Sequence, residues 1–119
     1  MSEGKITSFE DLIVYQTGYR LALEVHRLTQ DFPVEERYEL GQQLRKAAAS
    51  IPANIAEGYG RKNSKAEFRH FLRNALGSSN EMRVLLNLAR DLGYHQNTVM
   101  IEEYDVLGKQ IYRLIESWS

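Results

Sequence analysis

The sequence predicts an all-α protein, an antiparallel up-down four-helix bundle, and three observations predict it. Apolar residues recur at helical spacing along nearly the whole chain, with no alternating strand pattern. Only two prolines, Pro33 and Pro52, interrupt it, and no low-complexity linker divides it. The connections between periodic segments are short, so successive helices pack most simply as antiparallel neighbours. At 119 residues the chain reads as one domain, residues 1–119, with an ordered core over about 8–118.

The absence of cysteine excludes disulfide and thiolate chemistry and fits a reducing cytoplasm. The N-terminal MSEGKITSFEDL lacks the apolar run of a signal peptide, and no stretch approaches the roughly 20 apolar residues of a membrane span. The expectation is a soluble cytoplasmic protein with no membrane partner.

The first helix is expected from about Ser8 to Thr29. Ser8 or Thr7 caps it, and Glu10 and Asp11 lie in the first turn, where the helix dipole favours negative charge. Its apolar positions form two stripes, Leu12, Tyr15, Tyr19, Ala22 and Val14, Leu21, Val25, Leu28. Only Gln16, Arg20, Glu24 and Arg27 mark a wet strip, so burial on two sides is expected.

Pro33 suits the start of a second helix, from near Val34 to Tyr59, with Leu40, Leu44, Ala47, Ile51 and Ile55 on one face. Pro52 inside it removes a donor to the Ala48 carbonyl and predicts a kink; two helices split at Ser50 are the alternative. Gly58 and Gly60 are expected to end the element. Asn63 or Ser64 caps a third helix reaching about Leu92, with a seam of Phe68, Phe71, Leu72, Ala75, Ser79, Met82, Leu86 and Ala89. After the GYHQN turn, Ile101, Tyr104, Leu107, Ile111, Leu114, Ile115 and Trp118 form the stripe of a fourth.

Several motifs in these segments carry a resemblance. RKAAASIPANIAEGYGR, the upstream FEDLIVYQ, and the downstream F-x-x-F-L with the run from Ala75 to Ser78 resemble the four-helix-bundle proteins encoded in intervening sequences of bacterial 23S ribosomal RNA genes. The similarity covers about Phe9 to Trp118. It implies an up-down bundle assembled as a homopentamer, with no defined enzymatic activity. A related branch, the accessory proteins of diversity-generating retroelements, implies nucleic-acid binding. Met82 stands where the family pattern has leucine, and Lys46-Ala47 where a second arginine often precedes the alanine.

Charge gives the functional reading its own footing. Residues 1–39 carry four basic and eight acidic side chains, residues 40–90 nine and three, residues 91–119 two and five. An anionic partner would therefore meet the middle third. At about 100° per residue, Lys62, Lys65, Arg69, Arg73, Arg83 and Arg90 fall within roughly 100° of arc on the third helix. Glu67 and Glu81 lie outside this arc, while Asn80 and Asn87 share it. Arg61, with Arg45 and Lys46 from the second helix, extends the patch if the kink orients them. The expected partner is RNA or DNA, bound through phosphates with steep salt dependence. The competing reading is a solvated flank, paired with acids such as Glu102, Glu103 and Asp105, or a basic ring that docks an acidic protein.

Ala66, Gly77, Val84 and Leu88 fall opposite the bundle-facing arc of the third helix, where a lone bundle carries charge. With the broad apolar arc of the first helix they predict an oligomer interface between identical chains.

Enzymatic and cofactor readings are weaker. Asn54 and Glu57 near Pro52 are more simply a backbone-satisfying amide and an ion-pair partner of Arg61 than a catalytic pair. Gly58-Tyr59-Gly60-Arg61 lacks the ending of a P-loop. Glu67-x-x-His70 is half a di-iron motif without a second copy, and His26 and His95 have no ligand spacing. No cofactor, metal or catalytic residue is expected. The tyrosines Tyr15, Tyr19, Tyr59, Tyr104 and Tyr112 read as packing residues, with base stacking as the alternative.

Overall fold

Ser8 opens the first structured turn by accepting a hydrogen bond from the Glu10 N–H while Asp11 caps back onto the Ser8 N–H, a reciprocal capping box. In the computed structural model, which describes residues 5–119, this turn is a short 3-10 segment, Phe9–Asp11. Leu12 then adopts extended backbone, and the first long helix, α1, runs Ile13–Thr29. The single helix expected from Ser8 is thus two elements, because Asp11 is turned back onto Thr7 and Ser8. Its carboxylate accepts from the Thr7 N–H at 2.9 Å and the Thr7 hydroxyl at 3.0 Å. These bonds, the Thr7 N–H first, hold its pKa below the usual value.

The expected second helix is also divided, but not at Ser50. Pro33 precedes a four-residue helix, α2 (Val34–Arg37), and the chain turns at Tyr38 and Glu39 before α3 (Leu40–Tyr59). Arg45 reaches back from α3, donating to the Arg37 carbonyl at 2.8 Å and to Thr29 Oγ1 at 2.9 Å. Arg37 in turn donates to the Phe32 carbonyl. Side-chain bonds of this kind fix a turn that periodicity cannot register. α3 itself is continuous through Pro52. Ser50 Oγ donates to the Ala47 carbonyl and Asn54 Nδ2 to the Ser50 carbonyl, both one turn back along the helix around Pro52.

Ser64 caps α4 (Lys65–Asp91), whose end is followed by Gly93 at φ +86°, a conformation that suits glycine. Asn97 Oδ1 accepts from the Met100 N–H and caps α5 (Thr98–Ser117). The turn between them is held by His95, whose Nδ1 accepts from the Asn97 N–H while Nε2 lies 2.8 Å from the Leu86 carbonyl.

The four long helices pack as a bundle, with no strand among the described residues. Contacts run in opposite senses along neighbouring helices: Gly58 near the end of α3 meets Phe68 and Phe71 near the start of α4, Ser50 meets Ser78 at mid-helix, Arg83 in the second half of α4 meets Asp105 in the first half of α5, and Phe68 meets Trp118 just past the end of α5. That is the antiparallel sense. The core takes one stripe from each helix, including Leu21 and Val25, Leu44, Ile51 and Ile55, Phe68, Leu72 and Leu86, and Tyr104, Leu107 and Ile111. Gly58 does not end α3 as expected. It lies inside the helix, where an added Cβ would fall 2.9 Å from Phe71 Cβ, so α3 and α4 approach closely there. Gly60 follows as the C-cap.

On α1, the stripe containing Val14, Leu21 and Val25 enters the core, whereas Tyr19 and Leu23 remain exposed. Tyr104 is fully buried, and its hydroxyl has no hydrogen-bond partner among the described residues. Burial raises its pKa, as do the nearby charges of Glu24 and Glu103 to a smaller degree.

Candidate nucleic-acid interface

Ser64 sets where α4 begins, by accepting the Glu67 N–H, and the 4-3-4-3 spacing of Arg69, Arg73, Leu76, Asn80 and Arg83 then keeps these residues on one flank. That flank faces α5. Leu76, Asn80 and Arg83 line a cleft of about 440 Å³ with Asp105, Gly108, Lys109, Tyr112 and Arg113 of α5. Asp105 lies 3.4 Å from both Arg83 and Lys109, so one carboxylate holds two cations in place.

The cations expected on the strip differ in how far they are committed. Among the described residues Lys65 and Arg73 are exposed and join no ion pair or side-chain hydrogen bond. Lys62 is exposed, its ammonium 4.7 Å from the Tyr59 ring centroid. Arg69 is half-buried, with a buried Nε that has no partner among the described residues. Arg90 lies 3.3 Å from Asp91. Arg61 bridges Glu57 at 2.8 Å and Glu67 at 3.2 Å and sits 5.2 Å from the Phe71 ring centroid. Its pKa is raised, first by the hydrogen bond to Glu57 and next by that to Glu67. Arg20 is raised in the same way, first by Glu103 and then by Glu24.

Arg45 and Lys46 do not extend the strip. Arg45 is spent on Thr29 and Arg37, and Lys46 borders the opposite seam, α3–α4, beside Ser50, Ser78 and Glu81. Conversely, Lys109 and Arg113 join the α4 cations although they lie in the acidic C-terminal third. Their i, i+4 spacing on one flank of the fourth helical stripe was the available signal; the net charge of the segment masked it.

Ala66, Gly77, Val84 and Leu88 all lie at the surface of this chain. Val84 is 66% and Leu88 46% exposed, and a Cβ added at Gly77 would meet nothing within 4 Å. On the far side of the bundle an apolar groove of about 350 Å³ runs between α1 and α3, walled by Phe9, Tyr15, Tyr19 and Leu23 over a floor of Ala49, Pro52, Ala53 and Ala56.

Near Pro52, Asn54 and Glu57 are occupied by the Ser50 carbonyl and Arg61. Glu67 pairs with Arg61, while His70 stands edge-on to Phe71. Among the described residues no three His, Asp or Glu side chains are grouped to hold a metal ion, and no helix is long and apolar enough to cross a membrane.

Fold and surface together define an all-helical bundle with a cationic seam and an apolar groove on opposite sides. Residues 10–117 match the family model for the 23S rRNA-intervening sequence protein. The chain belongs to that family. No curated protein matches it.

Proposed function

We propose that this protein is a non-enzymatic, self-associating cytoplasmic bundle that binds nucleic acid, RNA or DNA, along the α4–α5 seam. The observation that carries this reading is the alignment of Lys65, Arg69 and Arg73, cations without acidic partners among the described residues, with Arg83, Lys109 and Arg113. Cations in a row, only Arg83 and Lys109 of them sharing an acid, Asp105, suit a polyanion, because each phosphate contact releases counterions. The test is binding of structured RNA and duplex DNA across a salt series by the native protein and by a Lys65→Glu/Arg69→Glu/Arg73→Glu variant. Salt-sensitive binding lost in a folded variant supports the reading. No binding at low salt by the folded native protein refutes it, and selective binding of an acidic protein would replace it.

Self-association is favoured by the α1–α3 groove. Tyr19 and Leu23 are 52% and 45% exposed beside exposed Ala49 and Ala53, a contiguous apolar surface of the kind that marks an interaction site. The family resemblance implies five subunits. Light scattering counts them, and Leu23→Glu is expected to dissociate the assembly if this groove is the interface.

A further inference from the structure

Tyr112 is 55% exposed although its neighbour Ile111 is fully buried, so it lies outside the core stripe of α5. Its surroundings are cationic. Arg83, Lys109 and Arg113 line the same cleft, and Asp105 is the cleft's one acidic wall residue. Leu76 supplies an apolar patch beside Gly108, where a Cβ would lie in ordinary contact, 3.6 Å from Leu76 Cδ1 and 3.4 Å from Ser79 Oγ. The Asn80 amide, which makes no side-chain hydrogen bond among the described residues, brings both a donor and an acceptor to the rim.

We propose that this cleft binds an unpaired nucleotide of a single strand, its base stacked on Tyr112 and its flanking phosphates on Arg113, Lys109 and Arg83. The inference rests on the nucleic-acid reading above and makes it specific. An exposed aromatic face between cations is the combination that single strands use, since every base has a π-face and every linkage a charge. A paired duplex keeps its base faces stacked inside and offers this cleft backbone and base edges but no free ring face. The cleft therefore selects strands or loops whose bases are free, with Asn80 placed to bond a base edge.

Fluorescence anisotropy with labelled oligouridine, oligothymidine and a fully paired RNA duplex, each across a salt series, tests this on the intact protein. Tyr112→Ala is expected to weaken single-strand binding on the order of tenfold with an unchanged salt slope, leaving duplex binding as it was. Tyr112→Phe, which keeps the ring, is expected to bind as the native protein does. Tighter binding of oligouridine than oligothymidine would assign the site to RNA, and the reverse to DNA. If Tyr112→Ala leaves single-strand binding unchanged, or weakens single strand and duplex alike, the stacking site is overturned. The nucleic-acid reading then stands provided the Lys65→Glu/Arg69→Glu/Arg73→Glu variant loses both. If the native protein binds none of the probes, both fall.

Discussion

Ser79 of α4 donates a hydrogen bond from Oγ to the main-chain carbonyl of Tyr104 on α5, 3.0 Å away, where both residues are fully buried. The bond ties two helices at mid-bundle, next to Gly108, where a Cβ would lie 3.4 Å from the Ser79 hydroxyl. Ser79→Ala should cost about 1 kcal/mol, the net value of one such bond. Ser79→Leu should cost about 1–3 kcal/mol by overpacking. Urea unfolding measures both; an alanine variant as stable as the native protein would show that the bond contributes nothing net.

Gly58→Ala pits two effects against each other. Alanine gains about 1 kcal/mol of helix propensity, but its Cβ would lie 2.9 Å from Phe71 Cβ and 3.0 Å from Phe68 Cδ1. The first contact is close to the α4 backbone and cannot swing aside, so α3 and α4 must separate. The variant should be less stable by about 1–3 kcal/mol, and a rise in the unfolding midpoint would contradict that geometry.

Arg45→Ala separates a structural arginine from a binding one. It removes the donor to Thr29 Oγ1 and to the Arg37 carbonyl, and a loss of about 1–3 kcal/mol is expected. Its nucleic-acid affinity and salt slope should match those of the native protein. Arg73→Ala should do the opposite, keeping stability and lowering the salt slope by about one.

Acid should loosen the N-terminal turn. Asp11 has a folded pKa below the ordinary aspartate value of 3.8, so its contribution is present above that value. It is lost as pH falls through the lower folded pKa, when protonation weakens the bonds from Thr7 and Ser8. In an NMR titration the Thr7 and Ser8 amide shifts should move together with a midpoint below 3.8, and Asp11→Asn should abolish the transition. A midpoint above 3.8 would be inconsistent with this cap.

The long helices and their buried seams were legible in the sequence because burial imposes a 3.6-residue period. Leu44, Ile51 and Ile55, or Phe68, Leu72 and Leu86, declare their face without reference to any neighbour. The break at Tyr38 was not legible, since its cause is Arg45 bonding to a carbonyl eight residues away. Gly58 misled for a related reason: glycine near a helix end suggests a cap, and only the Phe71 contact shows a crossing point. The cationic strip on α4 could be read from one helix, but Lys109 and Arg113 became part of it only when α5 packed alongside. Tyr112 sits only one position from the buried Ile111, so its exposure depends on the rotation of α5.

The seams of the bundle are unequal. α1 packs on α3, α3 on α4 and α4 on α5, each pair following one another among the long helices, whereas α1 meets α5 over a much smaller area that includes the Arg20–Glu103 ion pair. Nearly all of the native packing can therefore be gained by zipping neighbours together, and joining the first helix to the last comes at the end of that process. A chain wired in this way has little loop entropy to overcome before each contact is rewarded. It should reach its native form rapidly and in a single phase, and in native-state hydrogen exchange α1 and α5 should open before the more extensively packed α3–α4 pair lets go.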